Sequence, residues 1–295
     1  MTTSRYIGRF APSPTGPLHF GSLVAALASY LDARAAGGRW HLRIDDVDSG
    51  RSRAEYAAEI PRTLEGLGLH WDGPIQSQDN RREIYQTALE KLIAAEQAFP
   101  CGCTRRELEG ARRGPAGVIY PGYCRDGLPP GRSARSWRFA IDDHTLGFRD
   151  RCAGQQTINL KDAIGDFIIR RADGLHGYHL AMVLDDAALG VTDVVRGADL
   201  LPATAPQILL QRALDLPTPG YLHIPVARDN EGRKLSKTNH APAIDPHAVN
   251  TLLCNALIHL QHPPPDELQK APANELLAWA VSHWQPQRLS ASMPL

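Results

Sequence analysis

The chain has 295 residues, 43% hydrophobic and 22% charged, with no formal net charge. That length allows one large or two modest domains around a substantial core, and the charge balance excludes a globally basic nucleic-acid binder, so any RNA must be met by a local patch. No run reaches the ~18 apolar residues of a membrane helix and the N-terminus lacks a signal-peptide core, so a cytoplasmic protein with no membrane contact, and a monomer, is expected.

Residues 5–10 read as a short strand. The stretch R-F-A-P-S-P-T-G-P-L-H-F-G follows over 9–21. Its prolines at 12, 14 and 17 stiffen the loop. Gly16 admits a positive φ, and Gly21 keeps the start of the next element free of a side chain. From Ser22 onward, Leu23, Val24, Leu27, Tyr30 and Leu31 recur at helical spacing until Gly37-Gly38 stops the helix. A helix N-terminus offers free N–H groups and positive potential to a phosphate, and His19 stands there as a further donor. A plain βα turn capped by a histidine fits the same residues.

Residues 40–48, W-H-L-R-I-D-D-V-D, alternate as a strand that ends in carboxylates. Such strand ends bind ligands in open α/β sheets, so Asp45 or Asp46 can meet an ammonium; a solvated acidic turn is the alternative. Residues 53–68 and 80–96 read as two helices, broken apart by Gly66, Gly68, Asp72, Gly73 and Pro74. Cys101 and Cys103 lie two apart, and Tyr120 and Cys124 follow. This odd cysteine set suits a metal site better than disulfides, with packed free thiols as the alternative. Cys152 and Cys254 have no partner pattern. Residues 137–141, 146–149 and 157–160 alternate as strands, and 167–175 reads as a hairpin turning at Asp173-Gly174. A strand over 192–197, a helix to 214 and a strand over 221–226 lead to the loop 232–238, G-R-K-L-S-K-T. Two of the chain's five lysines, Lys234 and Lys237, fall there. Helical patterns at 247–260 and 274–284 close the chain.

The stretch over 12–21 resembles the first nucleotide-binding signature of class I aminoacyl-tRNA synthetases, in its glutamyl and glutaminyl form. His19 and Gly21 match that signature's first and third letters, and Ser22 replaces its last histidine. K-L-S-K over 234–237 resembles the second signature. Residues 178–186, Y-H-L-A-M-V-L-D-D, and R-G-A-D over 196–199 are similar to the intervening segments. Both signatures in the expected order are far more specific than either alone.

The resemblance implies a Rossmann-like doubly wound parallel sheet over 1–98 and 176–240. An inserted α+β zinc-bearing module over 99–175 splits it, and a short helical tail occupies 241–295. It implies His19, Lys234 and Lys237 as catalytic residues. ATP would be bound by Pro12, Ser13, Gly16, His19, Gly21, Ser22 and Lys237. Glutamate would be bound by Arg9, Phe10, Ala11, Pro12, Ser13, Asp45, Tyr178 and Arg196. Asp45 stands where the family has a glutamate, one methylene longer. The cofactors implied are Mg2+ with ATP and one structural Zn2+ on Cys101, Cys103, Tyr120 and Cys124. The match is to a branch without the large anticodon-binding domain, whose members activate L-glutamate without tRNA and ester-link it to queuosine in the anticodon arm of tRNA(Asp). Alternatives are a truncated glutamyl-tRNA synthetase charging a 3′ end, an inactive tRNA-binding paralogue, and another adenylate-forming nucleotidyltransferase.

Overall fold

The computed structural model describes residues 6–228, 235 and 242–292. The first half runs β1 (Ile7–Phe10), α1 (Phe20–Ala35), β2 (Arg39–Ile44), α2 (Ala54–Gly66), β3 (Gln76–Ser77), α3 (Arg82–Ala94) and β4 (Ala98–Cys101). Small strands β5 (Arg113–Gly114) and β6 (Gly117–Val118) precede β7 (Ser136–Phe139), β8 (Thr145–Asp150), β9 (Gly154–Asn159), α4 (Leu160–Ala163) and β10 (Phe167–Arg170). Then come α5 (Tyr178–Ala188), β11 (Asp193–Gly197), α6 (Thr204–Ala213), β12 (Gly220–Ile224), α7 (Val249–His259) and α8 (Ala273–Ser282).

Strands β1, β2 and β3 pair in parallel, as do β11, β12 and β8, with β9 antiparallel at the far edge. The two groups meet where Thr192 N donates to Ile7 O and Ile7 N donates to Thr192 Oγ1, both at 2.9 Å. The carboxyl ends of β1, β11 and β12 therefore open on one edge, where such sheets hold ligands. Strands β8 and β9 fall inside 99–175, yet they lengthen the sheet of β11 and β12.

Helix α1 forms as its pattern dictates: Leu23, Val24, Leu27 and Leu31 are all buried. They share one core with Trp40 and Leu42 of the sheet and with Leu253, Leu257, Leu276 and Trp284 of the C-terminal helices. The Asp32 carboxylate sits behind that core. It accepts from Tyr6 Oη, from Arg151 Nη1 and Nη2 at 2.6 and 2.8 Å, and from Trp284 Nε1 at 2.8 Å. One buried acid thus ties the first strand's approach, the end of β8 and the chain's tail to the helix whose N-terminus faces the open edge. No helix among the described residues is long and apolar enough to cross a membrane.

The hairpin expected over 167–175 is present in short form: Arg171 N donates to Leu175 O at 2.8 Å and Gly177 N to Ile169 O at 2.7 Å, on either side of an antiparallel bridge between Arg170 and His176. β10 also pairs with β7, antiparallel. Gly177 permits the close approach, since a Cβ there would lie 2.6 Å from Ile168 O. The chain passes from this contact straight into α5, which ends the pairing.

Candidate active site

At the open edge lies a cavity of about 320 Å³. Its wall includes Arg9, Phe10, Ala11, Pro12 and Ser13 from the end of β1, His19, Gly21 and Ser22 from the start of α1, Tyr178 from α5 and Arg196 from β11. Stretches far apart in sequence thus supply ten of the residues proposed above for ATP or glutamate. Met182, Val195, Asp199, Leu200 and Pro225, which the sequence reading did not single out, complete other parts of the wall. Gly16 and Asp45 stand outside it.

His19 is the N-cap of α1. Its Nδ1 accepts from Ser22 N at 3.3 Å, so the ring's proton belongs on Nε2, the nitrogen able to donate. A Cβ at position 21 would lie 3.1 Å from the His19 ring and 3.3 Å from Leu235 O, so glycine there lets Leu235 approach the helix start. Leu235 is the second letter of K-L-S-K and lines the cavity. Lys234 and Lys237 lie outside the described residues. Gly16, expected to use a positive φ, does not take one. The prolines and a Thr15 N to Ser13 O bond at 2.9 Å turn the loop without it.

Behind the wall lies a charged cluster that sequence alone did not reveal. Asp186 Oδ1 accepts from Arg9 Nε at 3.0 Å and from Arg43 Nη1 at 2.7 Å. Burial raises the Asp186 carboxyl, but Arg9 and Arg43 more than offset this and hold it below its ordinary range. Arg43 is fully buried and spends its Nε on Asp45 Oδ1 at 2.6 Å. Burial pushes Asp45 up to about 6, with Arg43 opposing. The carboxylate read as a candidate for the substrate ammonium is therefore engaged by Arg43, two residues before it in β2. Its backbone N, bonded to Pro12 O at 3.0 Å, secures the signature loop to β2.

Arg196 differs from Arg9 in its company. It is 5% exposed, and the groups it bonds among the described residues are neutral: His223 Nε2 at 3.0 Å, Gln207 Oε1 at 2.8 Å and Thr204 Oγ1 at 2.9 Å. Burial draws its pKa down. Among the described residues no carboxylate pairs with it, whereas Arg9 has Asp186. A buried guanidinium facing a cavity without a counter-ion is a receptor for an anion. Tyr178, 39% exposed, lines the same space.

Remote from this cavity, the Sγ atoms of Cys101, Cys103 and Cys124 all lie within 4.8 Å of one another. The Tyr120 hydroxyl is 3.5 Å from both Cys101 Sγ and Cys103 Sγ, and it accepts from Cys124 N at 2.8 Å. Burial raises the Cys101 thiol, but bonds from Tyr120 and Arg138 outweigh it and bring it to about 7. Three converging sulfurs with a phenol oxygen form a donor set that can hold a metal ion.

The chain was compared with known proteins. The family model described as tRNA synthetases class I (E and Q), catalytic domain, matches residues 7–255. The glutamyl-Q tRNA(Asp) synthetase of Thiobacillus denitrificans is 50% identical over 285 residues, 96% of this chain and 95% of that protein. The protein of the same name from Aromatoleum aromaticum is 49% identical over 294 residues, 98% of this chain and 93% of that one. Among solved structures, a glutamate tRNA ligase from Elizabethkingia meningosepticum, crystallised with its amino acid, superposes with a TM-score of 0.78 at 25% identity. It is matched over 97% of this chain, which spans 66% of that ligase's length. The cavity's residues, the matched family model and relatives alike over nearly their whole length agree: this chain belongs to the class I tRNA synthetases of the glutamate and glutamine type.

Proposed function

We propose that the chain activates L-glutamate with ATP and then transfers it to queuosine in the anticodon of tRNA(Asp), the activity that its relatives' names describe. The observation that carries the first step is Arg196, a buried guanidinium held by neutral groups on the wall that also bears His19. With Arg9 lining the same cavity, two guanidiniums are offered to one small ligand. Glutamate brings two carboxylates; glutamine brings one and leaves a buried cation unmatched.

A glutamate α-carboxylate oxygen attacks the α-phosphorus of Mg-ATP, the bond to the bridging oxygen breaks, and pyrophosphate leaves. Glutamyl-adenylate remains. A queuosine hydroxyl then attacks the activated carbonyl, forming an ester and releasing AMP. In-line phosphoryl chemistry of this kind depends on positioning and charge stabilisation. His19 Nε2–H faces the phosphates in this reading, and Lys237, with Lys234, meets the charge developing on pyrophosphate. Arg9, Ser13, Tyr178 and Arg196 orient glutamate, and Asp45 acts from behind by holding Arg43. ATP–pyrophosphate exchange without RNA tests the step. Glutamate is expected to support exchange, with glutamine and aspartate at least ~10²-fold poorer in kcat/KM. Equal rates with glutamine would overturn the assignment.

The cysteine cluster is assigned to one structural zinc on Cys101, Cys103, Cys124 and Tyr120. Its donor chemistry supports this, since three sulfurs converge within 4.8 Å of one another and thiolates bind zinc strongly. Cys101→Ser is expected to lose the ion, with purified wild type carrying about one zinc per chain. The variant's thermal unfolding should begin earlier. Elemental analysis showing no metal in the wild type, with unchanged unfolding in Cys101→Ser, would reduce the cluster to packed thiols.

A further inference from the structure

We infer that Asp150 and His223 are positioning residues that fix the guanidinium of Arg196 through the tautomer of the imidazole between them. The chain of contacts is continuous and buried. Arg196 Nε–H donates to His223 Nε2 at 3.0 Å, and His223 Nδ1 lies 2.7 Å from Asp150 Oδ2. Asp150 is 1% exposed and His223 0%. Arginine has only donors, so His223 Nε2 must be an unprotonated acceptor. The ring proton is then on Nδ1 and is given to Asp150.

Asp150 is itself held rigidly. Its Oδ1 accepts from Cys152 N at 2.9 Å and Ala153 N at 2.7 Å, and His223 N lies 3.2 Å from Oδ2. It sits at the end of β8, opposite Tyr221 of β12, two residues before His223. β8 comes from the stretch that interrupts the two halves of the sheet, so that stretch delivers the carboxylate which sets the imidazole. Gln207 Oε1 and Thr204 Oγ1 take one N–H from each of the other two guanidinium nitrogens. Three N–H groups are thus committed, which leaves two of arginine's five for a ligand.

The physical advantage lies in what is absent from the direct shell. A carboxylate touching Arg196 would cancel its charge before a substrate arrived. An imidazole in between transmits orientation from Asp150 while presenting a neutral atom to the guanidinium. Burial keeps His223 below its ordinary range, in line with a neutral ring.

The inference rests on Arg196 contacting glutamate, as proposed above. Asp150→Asn turns an acceptor into an amide whose NH2 can face Nδ1. The ring is then driven to carry its proton on Nε2, aimed at Arg196 Nε–H. Glutamate KM in ATP–pyrophosphate exchange is expected to rise about tenfold or more, the scale of a hydrogen bond to a charged group, while KM for ATP changes less than about threefold. Nitrogen NMR of the imidazole should show the Nδ1–H form in wild type and the Nε2–H form in the variant. His223→Gln, which keeps an acceptor near the Nε2 position, should retain most of the glutamate affinity, and His223→Leu should lose it. A switched tautomer with unchanged KM, or equal losses in Gln and Leu, would overturn the inference. Wild type showing the Nε2–H form would do the same. Absence of glutamate-dependent exchange in wild type would instead refute the glutamate reading, with the NMR result still deciding the tautomer.

Discussion

Replacing Asp186 by alanine is expected to destabilise the protein by about 3–5 kcal/mol and to remove glutamate activation. One oxygen of this carboxylate serves both Arg9 and Arg43, and those two side chains are 3% and 0% exposed. Alanine would leave two buried cations, and the carboxylates left to act on Arg43 are Asp45, already bonded to its Nε, and Asp185, itself held by Arg81. Removing one partner of a buried charge cluster costs far more than the cluster's net worth, because the survivors stay desolvated. A loss of this size is a large part of the ~5–15 kcal/mol that holds a typical domain together. The activity loss has a separate cause: Arg9 loses the bond at Nε that sets its plane against the cavity. The same carboxyl gives a pH signature. Its folded pKa is depressed, so its contribution is present above the ordinary carboxylate range near ~4 and fades as pH falls through the lower folded value. Urea unfolding at neutral pH provides the test. A midpoint equivalent to less than about 1 kcal/mol of loss would mean that water or backbone groups compensate the two arginines.

This cluster also shows where sequence reading stops. Helix α1 and its His19 cap were legible because the period and the cap are local: Ser22 N and His19 Nδ1 are three residues apart. The C-x-C pair was legible for the same reason, and Cys124 joins it from only 21 residues beyond Cys103. Arg9, Tyr178 and Arg196 were singled out by resemblance, and the fold brings all three to one wall. Their partners were not foreseeable. Arg9 and Asp186 are 177 residues apart, and Asp150 and His223 are 73 apart. Asp186 stood in plain view beside Asp185, yet nothing in an acidic pair says which member turns inward to which arginine. Asp185 goes the other way, to Arg81, Tyr85 and Gln78. Asp45 was read from its position at a strand end. The same position, just past the end of β2, gave it Arg43 as a partner two residues back. The hairpin at 167–175 was legible because its turn is local: Gly174 N bonds to Arg171 O at 3.1 Å and Arg171 N to Leu175 O at 2.8 Å.

The acceptor is expected to separate two readings by an all-or-none result. Glutamyl-adenylate can be resolved by the terminal ribose of a tRNA or by a hydroxyl elsewhere on the RNA. The chain spans 95% of the Thiobacillus denitrificans relative, whose name places the amino acid on queuosine, but only 66% of the glutamate tRNA ligase. The first is the closer guide. Queuosine carries hydroxyls that guanosine lacks at the same position, and one of them would be the nucleophile. Bases of an anticodon loop are unpaired and can be splayed into a pocket, where stacking and hydrogen bonds read them. A site built to bond those hydroxyls leaves buried polar groups unmatched when guanosine enters, a discrimination of about 10⁴–10⁵-fold even before the missing nucleophile is counted. Labelled glutamate, ATP and tRNA(Asp) with queuosine should therefore give labelled RNA, and the same tRNA with guanosine should give none. Cutting the product into halves locates the ester. Label in the fragment holding the anticodon is the expected outcome. Label on the 3′-terminal adenosine, with or without queuosine, would transfer the chain to the tRNA-charging class while leaving glutamate activation intact.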